Sequence, residues 1–435
     1  MNILIVKLSA IGDVIHTLPA LAALRRRYPD AHITWVVEEA AADLLADHPD
    51  LDRVLISRRK TWIRALRRGR IAAPLREMRA FLRALRSRPY DLVIDFHGLF
   101  KSAVVVLLSG GRRKLGYDSM QEGSGLFYGE KIPEAMEKHA VDRYLDFVRY
   151  LAGNGIEPSS LTGSPEFKIA ALEEGLRQWT VLLDETFARR ENRISDARIG
   201  DFSGAPAPAA QRPQRQLSER EARVSSLQRS QEAQGRKMSS AQRDRDFQSP
   251  RNEHSGVIDS AESRGDGGES GGGRKSERRF VAVSPVAFWE TKLWEDDKFA
   301  ELGDRIQREL GVGVVLTGGE AGPLERIRAR MQHAAANLGG RTTLRELAAL
   351  YRAADLVVST DSGPMHLAAA VGTPVVALFG PTDPARTGPY GPGHRIIRRD
   401  LDCSPCFRKH CSAPRCMTDI SVEEVFAAVR AVLGK

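Results

Sequence analysis

Two long stretches of the sequence alternate short apolar runs with amphipathic segments, and this alternation constrains the fold more than any other feature. From Met1 to about Ile169, the runs ILIVKL, HITWVVE, RVLIS and DLVIDFHG are typical of buried strands, whereas VIHTLPALAALRRRY and PLREMRAFLRALRSR have helical spacing. From about Phe280 onward the alternation returns, with RFVAVSP, GVGVVLTGG and DLVVST as strands and DDKFAELGDRIQREL and PLERIRARMQHAA as helices. Such alternation predicts parallel sheets, so we expect two α/β domains, at 1–169 and 280–435.

The segment between these domains, residues 185–279, has a different composition. It is rich in Arg, Ser, Gln, Gly, Asp and Glu and lacks apolar clusters. A chain of this kind cannot bury enough apolar surface to offset its conformational entropy. We therefore predict a disordered, mixed-charge insert that links the domains, with a tether for RNA or a membrane as the alternative.

Charge and hydropathy limit the partners and the location. The 435 residues carry a formal net charge of +9, which favours an anionic partner such as a nucleic acid, an acidic membrane or a phosphorylated substrate. No apolar run approaches the roughly 20 residues that span a bilayer. The start of the chain has the pattern of a strand and a helix rather than of a signal peptide, so we expect a cytoplasmic protein.

The stretch STDSGPMHLAAAVGTP, residues 359–374, places polar groups at the start of a short helix of small residues. Its loop follows the strand DLVVST, at the edge where open α/β sheets bind ligands. We expect Asp361 or Ser362 to cap the helix, and free amides at a helix N-terminus attract phosphate. A well-capped structural helix is the alternative interpretation.

Two further loops follow first strands and carry candidate groups. In KLSAIGDVIHTLPAL, Asp13 lies in the first turn of a helix, either as a partner of the helix dipole or as a general base. In SPVAFWETKLW, Lys292 stands between Trp289 and Trp294, either as a surface lysine or as a ligand of a diphosphate leaving group together with the loop that starts at Asp361.

Basic residues and cysteines form two more clusters. SRRKTWIRALRRGR and GLFKSA predict a cationic surface that suits an acceptor with several negative charges or an anionic membrane, with a solvated helix face as the alternative. The four cysteines, Cys403, Cys406, Cys411 and Cys416, lie close together in the sequence and could hold zinc or an iron–sulfur cluster. Reduced or locally paired thiols in a structured loop are the alternative.

Taken together, these motifs resemble those of bacterial lipopolysaccharide heptosyltransferases, glycosyltransferase family nine. The resemblance rests on KLSAIGDVIHTLPAL, WVVEE, SRRKTW, DFHGLFKSA, TKLW and STDSGPMHLAAAVGTPVVALFGPTDP in this order, and it covers both α/β domains without the insert. GDVIHTLPAL and RRKTW are more similar to heptosyltransferase I than to heptosyltransferase II. The cysteine-rich loop is similar to that of other family members.

The resemblance implies a GT-B fold, in which two Rossmann-like domains face each other across a cleft, and an inverting transfer of heptose from ADP-heptose to a Kdo residue of the lipid A inner core. It implies that Asp13 is the base, without a required cofactor. The residues implied to bind the nucleotide sugar are Thr291, Lys292, Asp361, Ser362, Gly363 and His366. Those implied to bind the acceptor are Arg58, Arg59, Lys60, His97 and Lys101.

The same resemblance implies a monomer without an obligate nucleic acid, peripheral at the cytoplasmic face of the inner membrane. A transferase of a later core heptose or of another nucleotide sugar has the same features. A GT-B epimerase would need no acceptor and hence no basic N-terminal surface. A non-catalytic scaffold that binds a nucleotide sugar or RNA would use the basic insert instead of Asp13.

Overall fold

Two parallel β-sheets organise the chain. The computed structural model describes residues 1–119, 121–153, 165–170 and 279–434, and the two sheets belong to one compact unit. In the first sheet the strand order is β3-β2-β1-β4-β5-β6, and every neighbouring pair is parallel. Its strands are β1 Asn2–Val6, β2 His32–Glu38, β3 Arg53–Ser57, β4 Leu92–Asp95, β5 Arg113–Tyr117 and β6 Glu130–Ile132.

The second sheet repeats this arrangement with the order β12-β11-β10-β7-β8-β9, again wholly parallel. Its strands are β7 Phe280–Ser284, β8 Gly313–Leu316, β9 Ala336–Asn337, β10 Leu356–Thr360, β11 Val375–Phe379 and β12 Arg395–Arg398. In both sheets the first strand lies in the centre and the chain order reverses beside it. Ligands of doubly wound sheets bind at such reversal points, at the carboxyl ends of the strands.

Helices cover the sheets. In the first half they are α1 Ile11–Arg27, α2 Glu39–Ala42, α3 Arg59–Arg67, α4 Ala72–Leu85, α5 Phe100–Ser109 and α6 Ala140–Ala152. In the second half they are α7 Asp296–Leu310, α8 Ala321–Arg328, α9 Leu344–Ala353, α10 Gly363–Ala370, α11 Pro384–Thr387, α12 Arg415–Thr418 and α13 Val422–Val432. None of the helices in the described ranges is both long and apolar enough to cross a membrane.

The central strands are buried on both faces, as their continuous apolar sequences predict. Ile3, Ile5, Val281 and Val283 are at most 1% exposed. The small residues of α10 allow that helix to pack closely against β10, β11 and α1, because Ala368 and its neighbours add little bulk. The two predicted parallel sheets, each covered by helices, are therefore confirmed.

One predicted helix is shorter than its sequence pattern indicates. PLERIRARMQHAA predicts a helix over 323–335, but α8 ends at Arg328. The reason lies on α7, where the buried Asp304 carboxylate accepts hydrogen bonds from the backbone amides of Gln332 and His333, at 2.8 and 2.7 Å. Those amides cannot then continue the helical hydrogen-bond ladder.

The predicted insert lies outside the described residues, apart from Arg279. The Arg279 guanidinium forms an ion pair with Asp355, at 3.2 Å, so this residue belongs with the second sheet. The domain boundaries at 169 and 280 remain a prediction.

Candidate active site at the boundary between the two sheets

Asp13 lies in the first turn of α1, just after the loop that follows β1. Its carboxylate accepts a hydrogen bond from the backbone amide of Ala10, at 3.1 Å, and so satisfies a free amide at the start of the helix. The side chain nevertheless keeps 41% of its surface exposed. The geometry therefore combines the predicted role at the helix end with an accessible carboxylate, which a general base needs.

Lys7, the residue that follows β1, is a buried cation beside Asp13 that the sequence analysis missed. Its ammonium donates to the Tyr144 hydroxyl at 2.6 Å and to the Phe96 carbonyl at 2.9 Å, and it lies 4.0 Å from the Asp13 carboxylate. Burial lowers the pKa of the Lys7 ammonium, and Asp13 partly opposes this effect. The sequence could not predict that this lysine lies beside Asp13 in the site, because its partners Phe96 and Tyr144 come from distant parts of the chain.

The start of α10 carries a buried ion pair. The Lys292 ammonium lies 2.5 Å from the Asp361 carboxylate, and Thr382 donates its hydroxyl to the same oxygen, also at 2.5 Å. The ammonium also lies 4.6 Å from the centre of the Trp289 ring, a cation–π distance. The two residues that the sequence analysis assigned to one site are thus brought together, across 69 positions of sequence.

The predicted capping of α10 by Asp361 or Ser362 is wrong. Ser362 occupies the N-cap position, but its hydroxyl donates to the Thr360 carbonyl and makes no hydrogen bond to the helix amides. The Asp361 carboxylate is held by Lys292 and Thr382 instead. The first amides of α10 therefore lack a side-chain cap, and such amides can bind an anion.

Thr291 has a structural contact in the same loop. It is buried, and its hydroxyl donates to the Arg408 carbonyl at 2.8 Å. The loop that contains the cysteines therefore packs against the segment that positions Lys292. Cys406 also donates its backbone amide to the Pro381 carbonyl, at 3.0 Å, which ties this loop to the end of β11.

His366, on α10, contacts the first half of the protein. Its Nδ1 lies 3.0 Å from Nε2 of His16 on α1, and both rings are buried. His139, at the start of α6, packs edge-on against His16, with ring centroids 5.2 Å apart. Burial lowers the pKa of His16 well below its ordinary value and lowers that of His366 to about 4. His16 and His139 had no signal in the sequence, because their partners are remote along the chain.

The N-terminal ends of α1 and α10 lie directly against each other. A Cβ added to Gly363 would be 3.3 Å from Ile11, and one added to Gly12 would be 2.4 Å from the His366 ring. Two glycines therefore permit the close approach. The carboxylate on α1 and the uncapped amides of α10 consequently face the same boundary between the sheets.

Other contacts join the two halves at a distance from these helix ends. The Arg345 guanidinium pairs with Asp43 at 3.4 Å, and its backbone amide donates to the same carboxylate. Tyr390 donates its hydroxyl to Asp142 at 3.0 Å. The boundary is thus held at several separate points.

The predicted basic residues lie at the carboxyl ends of β1 to β4. Arg59 and Lys60 form ion pairs with the buried Glu38, at 3.4 and 2.9 Å, and Lys101 donates to the Ser9 hydroxyl at 3.0 Å. Arg58 turns toward Glu39 instead, at 3.2 Å, and is more exposed. Glu38 is a member of this cluster that the sequence analysis quoted within WVVEE but did not single out.

Two groups of the basic cluster have depressed pKa values. Burial, with the nearby Lys7 and Lys101, lowers the pKa of His97 to about 2, so this ring is neutral. Its buried ring nitrogens make no well-aligned hydrogen bond within the described ranges, although the Ser9 backbone lies close enough to oppose part of the lowering of the pKa. Burial also lowers the pKa of Lys101, against an opposing effect of Glu38. Unpaired polar atoms and crowded cations favour a bound anion here.

The structure does not support the predicted metal site. In the described part of the chain no group of three or more His, Cys, Asp or Glu side chains is arranged to hold a metal ion. Cys403 and Cys411 are exposed free thiols, whereas Cys416 packs against the apolar core below β11. Cys406 is also partly buried, and burial together with the nearby thiols of Cys406, Cys403 and Cys411 raises the pKa of Cys416, so the four cysteines lie near one another without the arrangement of a metal site.

Comparisons with known proteins agree with the resemblance. Lipopolysaccharide heptosyltransferase 1 of Pseudomonas aeruginosa is 27% identical over 459 residues, covering 100% of this chain and 98% of that protein. The enzyme of the same description from Escherichia coli K12 is 39% identical over 147 residues, or 33% of this chain and 45% of the relative. Lipopolysaccharide heptosyltransferase 2 of Salmonella typhimurium is 38% identical over 130 residues, 28% of this chain and 37% of the relative.

Solved structures share the fold. E. coli heptosyltransferase WaaC with ADP superposes with a TM-score of 0.64 at 21% identity, covering 99% of this chain and 100% of that one. E. coli ADP-heptose lps heptosyltransferase II gives 0.62 at 20% identity, with 100% and 98% coverage. The expected GT-B architecture is confirmed. The model of glycosyltransferase family 9 (heptosyltransferase) matches residues 78–173 and 219–417. The chain therefore belongs to glycosyltransferase family 9 and is a glycosyltransferase.

Proposed function

We propose that the protein transfers heptose from ADP-heptose to a Kdo residue of the lipid A inner core, with inversion at the sugar, in lipopolysaccharide biosynthesis. The observation that carries this proposal is the apposition of two helix ends, with the Asp13 carboxylate on α1 and the uncapped amides of α10 at one boundary. An acceptor hydroxyl held on the first half and a diphosphate held on the second would meet there. Relatives along the whole chain are heptosyltransferases.

The donor site is formed by the second half. The α10 amides and the Lys292 ammonium supply positive charge where the diphosphate of ADP-heptose would lie. Asp361 fixes the direction of the ammonium and partly offsets its charge, so that the site is preorganised before the donor binds. The full set proposed to bind the nucleotide sugar is Thr291, Lys292, Asp361, Ser362, Gly363 and His366.

The chemical step uses Asp13 as general base. The acceptor oxygen forms a bond to the anomeric carbon while Asp13 takes the proton from that hydroxyl, and the bond from the anomeric carbon to the phosphate oxygen breaks. ADP leaves with the bonding electrons. The negative charge that develops on the diphosphate is stabilised by Lys292 and the α10 amides, which lie opposite the base.

The acceptor site is formed by the first half. Kdo carries a carboxylate and lipid A carries phosphates, and both are anions that suit the basic cluster at the ends of β1 to β4. Arg59, Lys60, Lys101 and the neutral His97 line this edge, and Arg58 extends it outward.

The lipid part of the acceptor would lie in a membrane, and α4 presents a surface that suits an anionic bilayer. Arg76, Arg79 and Arg83 are exposed along this helix, and Leu75 and Met78 beside them are each 40% exposed. Cationic and apolar side chains on one helix favour binding to anionic lipid surfaces. We therefore propose that the protein acts peripherally at the cytoplasmic face of the inner membrane. The resemblance to the family suggests that it does so as a monomer.

The test measures ADP release from ADP-heptose with Kdo2–lipid A for the wild type and Asp13→Asn. We expect ADP release that requires the acceptor and that is lost by at least about 100-fold in the variant, since general bases contribute about 10²–10⁴-fold. Asp296→Asn is the matched control, because it removes an acid from the first turn of α7, away from the boundary. Full activity of Asp13→Asn would remove Asp13 as the base. Activity only with an acceptor that already carries heptose would identify a transferase of a later core heptose.

A further inference from the structure

The contact between His16 and His366 is a hydrogen bond between two rings from different halves of the protein. Nε2 of His16 and Nδ1 of His366 are 3.0 Å apart, and the ring centroids are 4.3 Å apart. Both rings are buried, and burial lowers the pKa of each, so both are neutral near pH 7. One of the two nitrogens must then donate a proton and the other must accept it.

The second nitrogen of His16 decides the direction of this bond. His16 Nδ1 is buried and has no hydrogen-bond partner among the residues that the structure describes. If the proton were on Nδ1, a buried N–H would be left without an acceptor, and orphaned N–H groups are rarer in proteins than under-satisfied acceptors. The His16 proton therefore lies on Nε2, and His16 donates to His366.

This direction fixes the proton of His366. Because Nδ1 of His366 accepts, its own proton must lie on Nε2. A Cβ added to Gly12 would lie 3.0 Å from this Nε2, so the donor edge of the ring faces the start of α1. His16 is the hydrogen-bond partner that the described structure gives to His366, which leaves the Nε2–H available to a ligand at the boundary.

We infer that His16 is a positioning residue, which holds His366 in the Nε2–H tautomer so that this N–H donates to an oxygen of the ADP diphosphate. The inference rests on the proposed function for the identity of the ligand. Through His366, it gives α1, in the half proposed to bind the acceptor, an effect on the donor site. If the halves separated, His366 would lose the His16 hydrogen bond and could exchange between its two neutral tautomers. In one of these, Nε2 carries a lone pair instead of a proton and cannot donate to the phosphate.

The test uses the full-length protein with histidine ¹⁵N labels and reads the tautomer of His366 by NMR, together with the dissociation constant of ADP by calorimetry. His16→Gln can still donate from its Nε2, whereas His16→Phe fills the space without a donor. His48→Gln is the control, because His48 is another buried histidine of the first half, with a bond to the Lys168 carbonyl away from the boundary.

For the wild type we expect the Nε2–H tautomer of His366 and binding of ADP. His16→Gln should keep both, and His16→Phe should give mixed tautomers and about tenfold weaker ADP binding, as expected for the loss of one hydrogen bond to a charged group. An Nδ1–H tautomer in the wild type would overturn the inference, even if His16→Phe did not fold. So would unchanged ADP binding by a folded His16→Phe. Absence of ADP binding by the wild type would count against the proposed function, and the tautomer would still test the role of His16.

Discussion

Replacement of Lys292 by Met measures how much the ion pair at the start of α10 contributes to the free energy of unfolding. Met preserves much of the length and apolar contact of the lysine but removes the ammonium. Among the residues that the structure describes, the Asp361 carboxylate then retains the Thr382 hydroxyl alone, at 2.5 Å. The two side chains of the pair are 15% and 4% exposed. Removal of one partner from a buried pair costs about 3–5 kcal/mol. Because a charged hydrogen bond remains, we expect a loss of about 2–3 kcal/mol in the free energy of unfolding.

The assay is a double-mutant cycle by urea unfolding, with Lys292→Met, Asp361→Asn and the two combined. The double variant should be more stable than the sum of the single losses predicts, by a coupling energy of about 1.5–3 kcal/mol, since neither charge is then left buried alone. Arg328→Met is the control. It breaks an equally short pair with Glu325, at 2.5 Å, whose side chains are about half exposed, and it should change the free energy of unfolding much less than Lys292→Met does. Additive losses at Lys292 and Asp361 would refute the assignment of a stabilising pair.

Three further outcomes follow from other features. Gly12→Ala should lower the free energy of unfolding by about 1–3 kcal/mol, because its Cβ would meet the His366 ring at 2.4 Å. Gly322→Ala, which meets nothing within 4 Å in α8, should be neutral or stabilising by up to about 1 kcal/mol, and equal losses in both variants would contradict the close approach of the helices. The free energy of unfolding should decrease as the pH is lowered from about 6.5 to about 4, because the unfolded chain takes up a proton at His366 that the folded protein excludes. This group alone accounts for about 3 kcal/mol. A urea midpoint that does not change over that interval, or that changes equally in His366→Gln, would contradict the prediction. A chelator should leave the melting temperature unchanged, and the exposed thiols of Cys403 and Cys411 should react rapidly with a thiol reagent. Release of a metal ion during that reaction would instead support a metal site at the cysteines.

The sequence pattern predicted most of the architecture because its causes are local. Continuous apolar runs in the sequence form the central strands of both sheets, and a run of apolar residues is a property of neighbouring positions alone. The end of α8 was predicted incorrectly because it depends on Asp304, a carboxylate from another helix. Three-residue β6 has too few residues for a periodic signal.

The candidate site was predicted in part, for a similar reason. The motifs identified groups such as Asp13 and Lys292 that begin helices or follow strands. They did not identify Lys7, which looks like an ordinary residue of a strand until Tyr144 and Asp13 surround it. The bond between His16 and His366 spans 350 positions and was equally invisible. Local composition does not record which distant residues meet.

The contacts across the boundary have a consequence for how the two halves need to be connected. All of these contacts are noncovalent, and each joins one residue of the first half to one residue of the second: His16–His366, Asp43–Arg345 and Asp142–Tyr390. For such an assembly a covalent connection acts mainly through the effective concentration of one half around the other, which varies slowly with the length of a flexible chain. Natural selection can therefore lengthen or shorten the sequence between these halves with little effect on the chemistry, provided that the surfaces which recognise each other are preserved.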